Sequence, residues 1–185
     1  VLGKVGQGVI VRRLGNWERG VFAVGDGEPR LPDRGLAIRV ATPRIDADAW
    51  KNYLPEGSNG GADAGGLALN VVSLKTPLLR VFERDFSNVD LTLRPRDSGW
   101  QIGLNTREAV GDIFWKSAGE GWVEGNFMRL VVRPAAEIGE GSTTLINTLP
   151  GMSLSVDDLH IGDKALGKLE LRARNDKGAW HLDTL

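Results

Sequence analysis

The side chains able to do chemistry are few, and their spacing does not suit it. There are two histidines, His160 and His181, and no cysteine. No serine elbow or cysteine partner accompanies either histidine, so a nucleophile–base couple is incomplete. Neither an H-x-H nor an H-E-x-x-H spacing occurs, which removes the usual short metal motifs. Each histidine sits in an alternating strand pattern, where an exposed or hydrogen-bonded imidazole is the ordinary outcome. Asp157 and Asp158 are adjacent. On a strand they face opposite ways, a poor start for a carboxylate dyad, so a turn or edge role is expected. Gly139-Glu140-Gly141-Ser142-Thr143 has the glycines of a phosphate loop without its lysine, and Gly6-Gln7-Gly8 precedes a strand instead of a helix. The expectation is therefore no catalytic residue, no metal and no cofactor.

Composition narrows the classes further. The 185 residues carry a net charge of −1 with 25% charged side chains. That balance gives no electrostatic case for nucleic acid or for a polybasic membrane-surface segment. Without cysteine there is neither a disulfide scaffold nor a thiolate metal site. No apolar run reaches the 18 residues of a spanning helix, and no signal peptide is visible. The chain opens at Val1 and stops at Leu185 within a strand-like pattern, and it reads as a fragment of a larger protein.

The elements that would position any site are strands. Apolar residues alternate through Val9 and Val11; Leu36, Ile38 and Val40; Leu67, Leu69 and Val71; and Val89, Leu91 and Leu93. The pattern resumes in Trp100, Ile102 and Leu104; Leu154 and Val156; and Leu169 and Leu171. Arg39, Thr92, Arg94, Glu170 and Arg172 fill intervening positions. Period two with one wet face predicts half-buried strands of an antiparallel sheet. Turn signals at Gly15-Asn16, Asp26-Gly27, Asp97-Ser98-Gly99, Gly119-Glu120-Gly121, Gly162-Asp163 and Asn175-Asp176-Lys177-Gly178 separate them. Together they predict a meander of about ten strands, spanning roughly 50 Å at the usual strand spacing. One short helix is expected near 46–54, with Asp46 as N-cap, Asp48 in its first turn and a stop at Pro55. The stretch 56–66 is Gly-rich and polar and reads as a connector.

A faint repeat runs through this pattern at a spacing of 80 residues, marked by Trp100 and Trp180. At that offset Leu74 meets Leu154, Leu79 meets Leu159, Val81 meets Ile161, Val89 meets Leu169, Leu91 meets Leu171 and Arg94 meets Arg174. Self-similarity at a fixed period is the mark of a modular array. It also argues against a helix after Pro77, because the second copy reads His160-Ile161-Gly162-Asp163-Lys164, a strand end and a turn. The chain thus divides into a first β segment over 1–66, a repeat module over 67–148 and the start of a second over 149–185.

The stretch from Leu149-Pro150 through Val156-Asp157-Asp158-Leu159, Gly162…Leu166-Gly167 and Leu169-Glu170-Leu171-Arg172-Ala173 to Trp180 and Leu182 resembles the YhdP family of AsmA-like proteins. Phe86-Ser87-Asn88-Val89, Gly99-Trp100, Gly111-Asp112-Ile113-Phe114-Trp115, Leu31-Pro32…Gly35-Leu36 and Asp46…Asp48-Ala49-Trp50 fit the same plan. The resemblance covers most of the chain and supplies no catalytic residue. It implies a mainly β, repeating-groove fold: a curved antiparallel meander with one apolar face. It also implies a periplasmic segment of a protein anchored to the inner membrane, carrying phospholipid acyl chains toward the outer membrane, with adjacent modules of the same chain as neighbours. The alternative is a closed β-sandwich with a structural or partner-binding role. Trp100, Trp122 and Trp180 each follow a Gly-containing turn and suit either packing or the rim of a lipid groove. The candidate lipid contacts are Leu69, Val71, Val89, Leu91, Leu93, Trp100, Ile102, Leu104, Leu154, Val156, Leu169 and Leu171.

Overall fold

The structure, a computed structural model, describes residues 6–50, 67–81, 84–96, 99–116, 121–132, 150–176 and 179–185. Among them are twelve strands and one short helix. The chain forms two compact units, Val1–Asp97 with Asn105–Arg107, and Ser98–Leu104 with Glu108–Leu185.

The first unit holds β1 (Gly6–Arg13), β2 (Asn16–Gly25), β3 (Gly35–Ala41), β4 (Arg44–Asp46), α1 (Ala47–Trp50), β5 (Leu69–Val81) and β6 (Arg84–Arg96). Its hydrogen-bonded order is β1-β2-β3-β5-β6, with β4 beside β5. β1/β2 and β5/β6 are antiparallel, whereas β2/β3, β3/β5 and β4/β5 are parallel. A parallel pair obliges the chain to return to its starting end before the next strand begins. Residues 26–34 make that return between β2 and β3. Arg39 Nε donates to the Arg30 carbonyl at 3.3 Å, and Asn70 Nδ2 to the Arg34 carbonyl at 3.0 Å. This strap therefore lies on the sheet face that carries Arg39, where Val21, Ala23 and Ala37 are buried. Two alanines on that face let the strap approach the strands closely.

The second unit holds β7 (Gly99–Asn105), β8 (Ala109–Lys116), β9 (Trp122–Val132), β10 (Gly151–Ile161), β11 (Lys164–Asp176) and β12 (Ala179–Thr184) in sequence order. β8/β9, β10/β11 and β11/β12 are antiparallel; β9/β10 is parallel. The mainly β class holds, and in neither unit does the strand order close on itself. The pairing is mixed, however, and not the wholly antiparallel meander expected. The connections after β2, β4 and β9 are long crossovers, which the alternation pattern does not distinguish from hairpin loops.

Local signals fare well where they are described. β5 is extended through Val81, as the repeat requires. The Ala49 N–H donates to Asp46 Oδ1 at 3.1 Å, the expected N-cap, and α1 occupies Ala47–Trp50; residues 51–54 of the expected helix lie outside the described residues. So do the Gly-rich stretch 56–66 and Gly139–Thr143. The first turn centres on Leu14-Gly15, one residue earlier than expected, with Asn16 already in β2. Asp157 and Asp158 occupy a β-bulge, since β10 gains a residue over β11 between the Val156–Leu169 and Leu159–Gly167 pairs.

The repeat is structural. β6 and β11 share both boundaries at the 80-residue offset, and β5 and β10 share their ends at Val81 and Ile161. Val72, Leu74 and Thr76 pair with Leu93, Leu91 and Val89. In the second copy Met152, Leu154 and Val156 pair with Ala173, Leu171 and Leu169. A parallel strand flanks each hairpin at matching positions: Val40 beside Leu74 and Ile45 beside Leu79, Gly125 beside Leu154 and Leu130 beside Leu159. The repeating unit is thus a parallel strand plus a hairpin.

Candidate functional site

Directly paired residues project to the same side of a sheet, so register alone sorts the faces. In the second unit one row runs Trp115, Val123, Met152, Ala173, Leu182. The next runs Ile113, Gly125, Leu154, Leu171, followed by Gly111, Phe127, Val156, Leu169 and by Ala109, Leu130, Leu159. Every member is apolar or glycine. The rows on the other face run Asp112, Asn126, Ser155, Glu170 and Phe114, Glu124, Ser153, Arg172, Thr184. Polar residues dominate there.

The apolar face has a closed centre and an accessible border. Ala109, Phe127, Val156 and Leu159 are buried, with half-buried Leu104, Ile113, Leu130, Leu154 and Leu169 packed around them. Trp115 at 43% and Leu182 at 55% exposure mark the border. Within this face large residues lie over glycines. A Cβ on Gly125 would meet the Phe127 ring at 2.7 Å and Leu154 Cδ2 at 2.8 Å. On the opposite face, with Glu124 and Ser153, Trp122 covers Gly151 in the same way, and a Cβ there would meet its ring at 2.7 Å. Covering a strand glycine with a neighbouring ring protects backbone that the glycine leaves bare. Part of the high glycine content thus serves to flatten the sheet face.

The first unit has a comparable apolar face, although its opposite face also carries an apolar row, Val9, Val21, Ala37 and Val71. Gly6, Val24, Val40, Leu74 and Leu91 form one row, and Gly8, Phe22, Ile38, Val72 and Leu93 another. Phe22 is 51% exposed and lies over Gly8, whose Cβ would sit 3.4 Å from the ring. Thr76 and Val89 form the buried end of this face.

The structure places the expected contacts unevenly. Leu91 and Leu93 share one face, and Leu154, Leu169 and Leu171 share another within their own unit, all half-buried. Val89 and Val156 lie on these faces but are buried, so they support the surface from below. Leu104 packs on the core of its unit, and period two puts Ile102 and Trp100 on its side of β7, both half-buried. Leu69 pairs with Leu36, but Val71 pairs with Ala37 and so falls on the face opposite Val72 and Leu93. The register slips by one residue at Asn70, which reverses the phase of the alternation. Val72 and Leu74 take the places that the simple pattern assigns to Leu69 and Val71. Phe22, Ile113, Trp115, Phe127 and Met152 are further members of these faces that alternation within a single strand does not connect; cross-strand register does.

No acid–base site emerges from the described residues. His160 Nε2 lies 3.0 Å from Asp158 Oδ1 at the bulge. On the edge strand, Arg174 Nε and Nη2 both donate to the Asp183 carboxylate at 2.8 Å. These hydrogen bonds, with the attraction of opposite charges, hold the Asp183 carboxyl below its ordinary range and raise Arg174 further. No cluster of three or more metal-ligating side chains occurs among the described residues. None of the described helices is long and apolar enough to cross a membrane.

A family model described as YhdP protein matches residues 2–185. The chain belongs to the YhdP family. The match spans both units and both copies of the repeat. Neither the curated proteins nor the solved structures give a match. YhdP membership connects the chain with bacterial lipid transport and with the bacterial envelope, in a family not known for enzymes.

Proposed function

We infer that this chain is a segment of a periplasmic lipid-transfer conduit, and that its apolar sheet faces shield phospholipid acyl chains between the inner and outer membranes. The observation that carries this reading is the two-sidedness of the strands in the second unit. The row Ile113, Gly125, Leu154, Leu171 backs directly onto Asp112, Asn126, Ser155, Glu170. Such a surface needs a cover on one side only. An acyl chain laid on it gains roughly 0.8 kcal/mol per buried methylene. No headgroup-specific pocket is required, so the conduit is indifferent to lipid class and works by area. The parent protein is anchored at the inner membrane, and adjacent modules of the same chain continue the path.

The test is the lipid held by the parent protein after purification, quantified by mass spectrometry. Leu171→Asn and Leu154→Asn lower the bound phospholipid, whereas Glu170→Gln on the opposite face leaves it unchanged. Equal lipid in all three variants, or no lipid in the wild type, overturns the reading.

A further inference from the structure

The β1–β2 hairpin ends in a group of side chains that the sheet faces do not explain. Register pairs Arg12 with Trp17 and Arg13 with Asn16, leaving Leu14-Gly15 as a two-residue turn. Both turn residues have positive φ, 49° at Leu14 and 87° at Gly15, the pattern of a type I′ turn. Asparagine or aspartate is the favoured first residue of that turn, because a short polar side chain tolerates the left-handed region. Leucine does not gain from that tolerance, and here it is also 96% exposed. The fold therefore holds a large apolar side chain outward in a conformation it disfavours.

Its neighbours are cationic and aromatic. The Arg12 guanidinium stacks over Trp17 at 5.2 Å from the ring centroid, while its Nε donates to the Gly15 carbonyl at 2.6 Å. That leaves the paired Nη groups, and among the described residues they meet no carboxylate. Arg13 follows on the other face of the hairpin, largely exposed, with Glu18 at 3.8 Å. An exposed guanidinium fixed by one nitrogen, with donors to spare, suits a phosphate. Trp17 has the amphipathic ring that settles at a membrane–water boundary. Leu14 projects from the tip itself, with Trp17 and Ile10 also exposed on the same hairpin, which fits a fluid surface better than a shaped protein pocket.

We propose that the β1–β2 hairpin tip docks on a bilayer surface containing anionic phospholipid, with Leu14 entering the acyl boundary, Trp17 lying at the headgroup level and Arg12 and Arg13 contacting phosphates. The near-neutral net charge of the chain conceals this local cationic tip. The docking is separate from the acyl-chain faces and does not depend on them.

The experiment is co-sedimentation of the 185-residue chain with vesicles of mixed phosphatidylglycerol and phosphatidylcholine, set against pure phosphatidylcholine. The wild type binds the anionic vesicles more tightly. Leu14→Asn weakens that binding by about tenfold, the scale of losing roughly two buried methylenes. Its thermal midpoint does not fall, since Asn-Gly suits the turn, so a folding defect cannot mimic the result. Arg12→Gln weakens binding by about fivefold, and salt weakens it further. Leu171→Asn leaves vesicle binding unchanged, which separates docking from acyl-chain shielding. Wild-type binding in Leu14→Asn, equal binding to neutral vesicles, or no vesicle binding at all would overturn the proposal, including the case in which the tip instead retains a protein.

Discussion

Leu154 stands directly across from Leu171, and the same rung appears 80 residues earlier as Leu74 across from Leu91. In each case a parallel strand lies on the outer side of the first leucine, bringing Gly125 to Leu154 and Val40 to Leu74. What recurs is therefore a three-strand apolar rung, built twice from one sequence pattern. Extending a face by repeating a rung requires no specific pocket, and this is how a short motif can generate a long lipid-compatible surface.

The glycines beneath the rings differ in what they tolerate, and the difference is measurable. At Gly111 a Cβ would run into the Asn126 carbonyl oxygen and fall 2.8 Å from Phe127 Cα, both main-chain atoms. At Gly125 the obstacles are the Phe127 ring and Leu154 Cδ2, which can rotate away. Gly111→Ala should cost about 3 kcal/mol and Gly125→Ala about 1 kcal/mol, spanning the usual range for overpacking. Chemical denaturation of the two variants checks the order, and equal losses would contradict it.

Burial separates support from surface on the same face. Val156 is 1% exposed, whereas Leu171 is half-buried. Val156→Ala should lose about 1–3 kcal/mol of stability, since it opens a cavity between strands. Leu171→Asn should lose less stability while reducing bound lipid. Paired measurements of unfolding free energy and lipid content distinguish the two roles.

The Arg174–Asp183 pair gives a pH dependence of known sign. The Arg174 hydrogen bonds lower the Asp183 pKa from its ordinary 3.8. The pair therefore contributes fully above that value, and its contribution is lost as pH falls below it toward the lowered folded value. Carboxyl chemical shifts in a titration should show Asp183 ionised after ordinary aspartates have protonated. Arg174→Gln should bring Asp183 back to the ordinary range. Because the pair is exposed, its effect on overall stability is small and decreases with salt.

Much of this fold is legible in the chain because its strongest signals are local. Alternation from Val89 to Leu91 and from Leu169 to Leu171 needs only neighbouring residues, and the 80-residue offset then aligns two hairpins in the same register. The parallel pairings are not legible that way. Ile38 meets Val72 and Phe127 meets Val156 across long connections, and nothing local to either strand marks its partner. The bulge at Asn70 is equally silent, and it moves Val71 to the opposite face by inserting one residue. Trp115 and Phe22 join the apolar faces only through cross-strand register, which is why single-strand periodicity passes over them.

The central claim is that one face of each sheet meets acyl chains, and site-specific photo-crosslinking in the parent protein tests it most directly. Crosslinkers at Leu91 and Leu171 should capture phospholipid, and those at Thr92 and Glu170, one residue away on the opposite face, should not. Equal capture from both faces, or none from Leu91 and Leu171, would contradict the account.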